Sequence, residues 1–143
     1  MLIIDDRLIS RALLQDYSWI PSGLDSGDLA TTAEFHFRLV SGTLKHEPIG
    51  VHSKRFAQLP KDDQERFRER MLKPDQLVHL LDSRVSLNVA ATIQAGFGQL
   101  SMMMCHALAA ASVHDAELAL TVITPAIEFF CSEAGIALHL VGS

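Results

Sequence analysis

Two adjacent carboxylates, Asp5 and Asp6, follow the short run Leu2-Ile3-Ile4. If that run is a strand in a parallel sheet, its carboxyl end is where such sheets place ligands, and the residues after each later apolar run stand at the same edge. After residues 77–81 these are Asp82 and Ser83, and after residues 118–122 they are Ile123 and Thr124. Only the first turn supplies two acids. Their oxygens suit one hard divalent cation, which normally draws at least one more acid from another turn. The other role open to Asp5 or Asp6 is to N-cap a helix beginning near Arg7. Other chemistries find less support. The seven histidines contain no H-x-x-x-H pair, no nucleophile elbow surrounds any Ser, and no glycine-rich phosphate loop follows a strand. Met102-Met103-Met104 reads as adaptable packing rather than a soft-metal site.

The elements that must position these residues alternate. Residues 2–4 read as a strand, and residues 7–14 carry Leu8, Ile9, Ala12 and Leu13 at helical spacing. Residues 21–28 (PSGLDSGD) form a loop, after which Thr31 or Thr32 can cap a helix that ends at Gly42. A second loop runs through Pro48 and Gly50. Pro60 opens a charged helix to about Lys73, with acids early and bases late as the helix dipole prefers, and Pro74 closes it. Residues 77–81 then read as a strand, 86–95 and 101–112 as helices, and 118–122 as a strand. Thr124-Pro125 starts a helix that ends at Gly135, and residues 136–141 make a last strand. Strands written as continuous apolar runs between helices predict a parallel sheet covered on both faces, a three-layer α/β/α domain.

The chain has 143 residues, 48% of them hydrophobic and 20% charged, which fits one domain spanning residues 1–143. Its net charge of −5 gives no global reason to hold a polyanion, so nucleic-acid binding would need a local patch. Seven of the twelve basic residues fall between Lys54 and Lys73, but Asp62, Asp63, Glu65 and Glu69 are interleaved with them, the pattern of a solvated helix. Cys105 and Cys131 sit in apolar stretches without metal or redox spacing, which predicts reduced buried thiols and a cytoplasmic chain. Residues 85–114 carry no Asp, Glu, Lys or Arg, yet their Asn, Gln, Gly and His interruptions predict core or interface rather than a membrane span. No secretory signal is read at the N-terminus. Because Lys and Arg are absent after Arg84, residues 85–143 are expected to expose apolar helices and to form a homo-oligomer interface.

The strand-acid start LIIDD, the helix TTAEFHFRLVSG and the stretch LSMMMCHALAAASVHDAELALTVITPAIEFFCSEAGIALHLV together resemble the PIN domain, the fold of VapC-type toxin ribonucleases. The resemblance implies a PIN-like parallel sheet of about four to five strands flanked by helices. It also implies a site where three or four carboxylates hold Mg²⁺ or Mn²⁺. Carried over residue by residue, the first acid matches Asp5, with Asp6 beside it. The second falls on Arg38, with Glu34 one helical turn earlier; the third falls on His106; the fourth falls on Ile123 or Thr124. One acid of four stays in place. A guanidinium at a ligand position has no lone pair to offer a cation, so the resemblance implies a degenerate nuclease site without a metal, in which Arg38 pairs with Asp5 or Asp6. His106 is expected to be a hydrogen-bonded core residue or, failing that, a ligand for a softer ion with Asp5, Asp6 and Glu34. The function expected is a non-catalytic interaction or RNA-associated module, with a protein partner or RNA as the binding partner. The alternative is an active Mg²⁺- or Mn²⁺-dependent ribonuclease of toxin type using Asp5, Asp6, Glu34 and a further acid such as Asp82. A purely structural oligomer is the third possibility.

Overall fold

The computed structural model describes residues 1–142. Five short strands, β1 (Leu2–Ile4), β2 (Leu29–Thr31), β3 (His79–Leu80), β4 (Glu117–Leu120) and β5 (Leu138–Leu140), form one parallel sheet in the order β3-β2-β1-β4-β5. Seven α-helices join them among the described residues: α1 (Asp6–Leu13), α2 (Ala33–Thr43), α3 (Val51–Ala57), α4 (Lys61–Leu72), α5 (Leu87–Gly96), α6 (Met102–Val113) and α7 (Pro125–Ala134). The chain travels from β1 outward to β3, then crosses back to β4 and on to β5. With right-handed crossovers, α1 to α4 cover one face and α5 to α7 the other, which is the expected three-layer arrangement.

The centre of the sheet is dry. Leu2, Ile3 and Ile4 on β1 and Leu118, Ala119 and Leu120 on β4 are fully buried, as strands covered on both faces require. Against them lies α6, whose Ala107, Ala109, Ala110 and Ala111 are buried and let its backbone approach the sheet closely. Interior packing thus accounts for part of the long run without Lys or Arg. The first layer is cross-linked by polar contacts as well as apolar ones: Arg70 of α4 donates to the Leu13 carbonyl at the end of α1 (2.8 Å), and His36 of α2 meets the Met71 carbonyl of α4 (2.7 Å).

Several boundaries differ from the sequence reading, each for a local reason. Thr31 lies in β2, a strand the sequence reading left out, and Thr32 is the cap, accepting from Phe35 N–H. Helix α2 continues through Gly42 to Thr43, because its glycine faces another helix rather than a turn. The expected loop near Gly50 contains α3, closed at its start by the Gly50 N–H donating to Ser53 Oγ (3.0 Å). Strand β3 shrinks to two residues, since Leu77 is held in a 3-10 turn by the Pro74 carbonyl. Strand β4 stops at Leu120, leaving Val122 exposed, and β5 begins only after Ile136, whose N–H still bonds to Cys131 of α7.

Gly135 ends α7 in the left-handed region at φ 70°. A Cβ there would meet nothing within 4 Å, so the cost of Gly135→Ala is conformational alone, about 1 kcal/mol. Urea unfolding should show a lower midpoint with an unchanged slope; an unchanged midpoint would contradict the assignment.

Candidate functional site

The crossovers leave β1 and β4 in opposite directions, and at this switch point, where parallel sheets place their ligand crevice, Asp5 stands buried at the carboxyl end of β1. Asp5 Oδ1 accepts the Leu8 N–H (3.1 Å) and so caps α1. Its Oδ2 accepts both the backbone N–H (2.7 Å) and the hydroxyl (2.8 Å) of Thr121, just beyond β4. A carboxylate has about four lone-pair sites, and the protein's own donors take three of them. Nearby, the Thr31 hydroxyl donates to the Ile4 carbonyl (2.8 Å), tying the ends of β1 and β2 together. Asp5 is a structural clamp.

Asp6 is equally buried but points elsewhere. Its Oδ2 lies 2.6 Å from His52 Nε2 on α3 and 3.5 Å from Arg38 Nε on α2. An ionised carboxylate can only accept, so His52 Nε2 carries the hydrogen; His52 Nδ1 is buried without a partner. Burial by itself would push the Asp6 carboxyl up, but the His52 hydrogen bond and the Arg38 charge outweigh it and hold the group below the ordinary aspartate range. The Arg38 side chain is 56% exposed, which makes its ion pair the weaker of the two contacts, worth below about 1 kcal/mol. Close approach of α3 depends on Gly42: a Cβ at that position would fall 3.1 Å from the His52 ring.

Glu34, on the first turn of α2, forms a separate group. The Ser83 hydroxyl sits 3.0 Å from both of its oxygens, and His106 Nδ1 of α6 lies 2.9 Å from Oε1, in ion-pair range but off the line of a good hydrogen bond. The helix turn thus brings Glu34, not Arg38, opposite His106. Thr124 takes no part at the crevice; it caps α7 by accepting the Ile127 N–H. Asp82 caps a 3-10 turn and binds Arg84 through Nε and Nη2 at the surface, which lowers its carboxyl to about 2. Sequence reasoning places Ser83 at this edge of the sheet, where it is found against Glu34, but misses His52 and Thr121. Thr121 had a visible signal, a hydroxyl directly after an apolar strand; His52 had none beyond its place two residues after Gly50.

The divalent cation implied by the fold fits this arrangement poorly. Asp5 is spent on backbone and hydroxyl donors, Asp6 faces an imidazole and a guanidinium, and Glu34 faces His106. Among the described residues, no three His, Cys, Asp or Glu side chains gather at metal-holding distances.

No protein-family model matches the sequence, and no curated protein sequence matches it. Among solved structures, the chain is similar to FitAcB from Neisseria gonorrhoeae, with a TM-score of 0.59 and 18% identity over 97% of this chain and 96% of that one. In that complex FitB is a PIN-domain toxin and FitA its antitoxin. The chain described here has a PIN-like, VapC-type fold.

Because the Asp6 carboxyl is depressed in the folded state, its ionisation stabilises the protein above the ordinary aspartate range, and that stabilisation fades as the pH falls through the folded value. Asp6→Asn should therefore lower stability near pH 7, by about 1–3 kcal/mol, with the gap closing in acid. Urea midpoints of the two proteins across pH check this; a gap independent of pH would refute it.

Proposed function

We propose that this PIN-like domain has a degenerate nuclease site and works by binding, as a protein-interaction or RNA-associated module. One observation carries the reading: at the crevice where the fold would gather metal-binding acids, the carboxylates are satisfied by the protein's own donors. Asp5 holds Thr121 and the start of α1, while Asp6 holds His52 and Arg38. Without a metal to polarise a phosphoryl oxygen and activate water, most of the charge stabilisation on which such cleavage depends is missing. The likeness to a toxin–antitoxin complex favours a protein as the partner. The alternative, a Mg²⁺- or Mn²⁺-dependent ribonuclease, draws support from Asp5, Asp6 and Glu34 lying near one edge of the sheet, but Asp82 is committed to Arg84. No helix of the described residues is long and apolar enough to cross a membrane.

Purified protein incubated with single-stranded RNA and Mg²⁺ or Mn²⁺ is expected to cleave no faster than its Asp5→Ala variant. Turnover by the wild type that requires Mg²⁺ or Mn²⁺, is abolished by chelation, and disappears in an Asp5→Ala variant shown by urea unfolding to be folded would establish the alternative reading.

We also propose that the chain self-associates through its second half. Part of that half is interior, with α6 packed on the sheet and Phe97 edge-on against Phe130 at 5.5 Å. Its exposed apolar residues include Phe129 on α7, Val122 after β4, and Leu140, 67% exposed on the edge strand β5 with one row of backbone groups unpaired by another strand. Light scattering at tens of micromolar should report a dimer or larger, and Leu140→Lys should shift it toward monomer. A monomeric wild type refutes the proposal.

A further inference from the structure

Beside the Asp6–His52 pair opens a small cleft of about 230 Å³, into which three cationic residues, Arg7, Arg38 and Lys45, are set around the single carboxylate of Asp6. Among the described residues, neither Arg7 nor Lys45 has an ion-pair partner. In a chain of net charge −5 this is a local reversal of sign. It differs from the basic stretch of α3 and α4, where acids are interleaved with the bases. Asp6 cannot neutralise the cleft, because its charge is already shared between His52 and Arg38. A compact anion with several acceptor oxygens is the missing complement.

A second recess lies on the other side of Arg38. Arg38 and Ser41 also form the wall of this groove, about 440 Å³, bounded by Phe37 on α2 and by Met102 and Met103 on α6. Its lining is mainly apolar, and Phe37 is 72% exposed, a large aromatic face left without protein cover. Glu34 lines the same groove. An anionic body would be repelled there, whereas an uncharged body with hydrogen-bond donors suits it. The polarity of the combined site is therefore fixed: negative charge at Arg7 and Lys45, a flat neutral body at Phe37. Small-molecule sites span about 300–1,000 Å³; the groove falls within that range, and the adjoining cleft, below it, is of a size for a compact charged group.

We propose that Arg7, Arg38 and Lys45 bind the phosphate of a nucleoside monophosphate whose base lies against Phe37, Met102 and Met103. Stacking on an exposed aromatic side chain tolerates any base, and the methionines can adapt to its outline. Binding of this kind needs no metal and no cleavage, and it is independent of whether the crevice at Asp5 retains nuclease activity.

Calorimetric titration with adenosine 5′-monophosphate, inorganic phosphate and adenosine, at matched ionic strength, tests the site. The monophosphate is expected to bind at least tenfold more tightly than either fragment. Arg7→Gln combined with Lys45→Gln should weaken monophosphate and phosphate at least tenfold, and the exposed control Lys61→Gln should change neither. Phe37→Ala should erase most of the monophosphate's advantage while leaving inorganic phosphate unaffected. Urea unfolding of each variant verifies that it is folded; all four positions are exposed or half-buried. The proposal is overturned if the monophosphate gives no saturable heat, if it binds no better than inorganic phosphate, or if the double variant binds as the wild type does.

Discussion

The contact between Asp5 and Thr121 is the constraint on which the candidate site depends. It joins residues 116 positions apart, at the carboxyl ends of the two central strands, where the sheet changes direction. A parallel sheet tends to open there, because the crossovers leave in opposite directions and no helix lies over the gap. Asp5 closes it by serving two elements with one carboxylate: one oxygen accepts the buried Leu8 N–H in the first turn of α1, the other fastens Thr121 just after β4. Such a group is costly to remove, since truncation would leave buried donors unsatisfied on two elements together.

Much of this was legible from residue types. The apolar runs gave the central strands because both faces of β1 and β4 are buried, and continuous Leu-Ile-Ile or Leu-Ala-Leu is what that burial demands. Helix ends were readable where the signal is chemical: Thr32 and Thr124 each cap through their hydroxyls, and Gly135 adopts the left-handed conformation that a terminal glycine allows. The failures came where tertiary packing decides. Leu29-Ala30-Thr31 is too short and too ordinary to announce a strand, and it is one because β1 and β3 lie on either side of it. Gly42 reads as a stop but serves as a gap through which His52 enters.

The same distinction governs the site. That Asp5 could cap a helix follows from its position one residue before an amphipathic segment; that its second oxygen holds Thr121 follows only from the topology. Glu34 and Arg38 are one turn apart on α2, and spacing alone gives them similar directions. The structure separates them because α6 presents His106 on one side while α3 brings His52, and the start of α1 brings Asp6, to the other. Their different neighbours turn two residues of one helical stripe toward separate tasks.

Charge distribution links the two recesses of this edge. Where a chain buries two adjacent carboxylates it must supply donors or cations, and here the first carboxylate is satisfied by neutral donors while the second recruits an imidazole and a guanidinium. Arg7 and Lys45 are then in excess of what Asp6 requires, and no local acid offsets them. Some arginines elsewhere are paired close at hand, as with Arg11 and Asp16 at 2.8 Å or Arg84 and Asp82 at 2.7 Å. Cations left unpaired beside a concave surface raise the local concentration of anions, and they do so most effectively when the surrounding walls are apolar and exclude water. The placement of Phe37 and the two methionines next to that charge therefore makes this edge selective for molecules that are anionic at one end only.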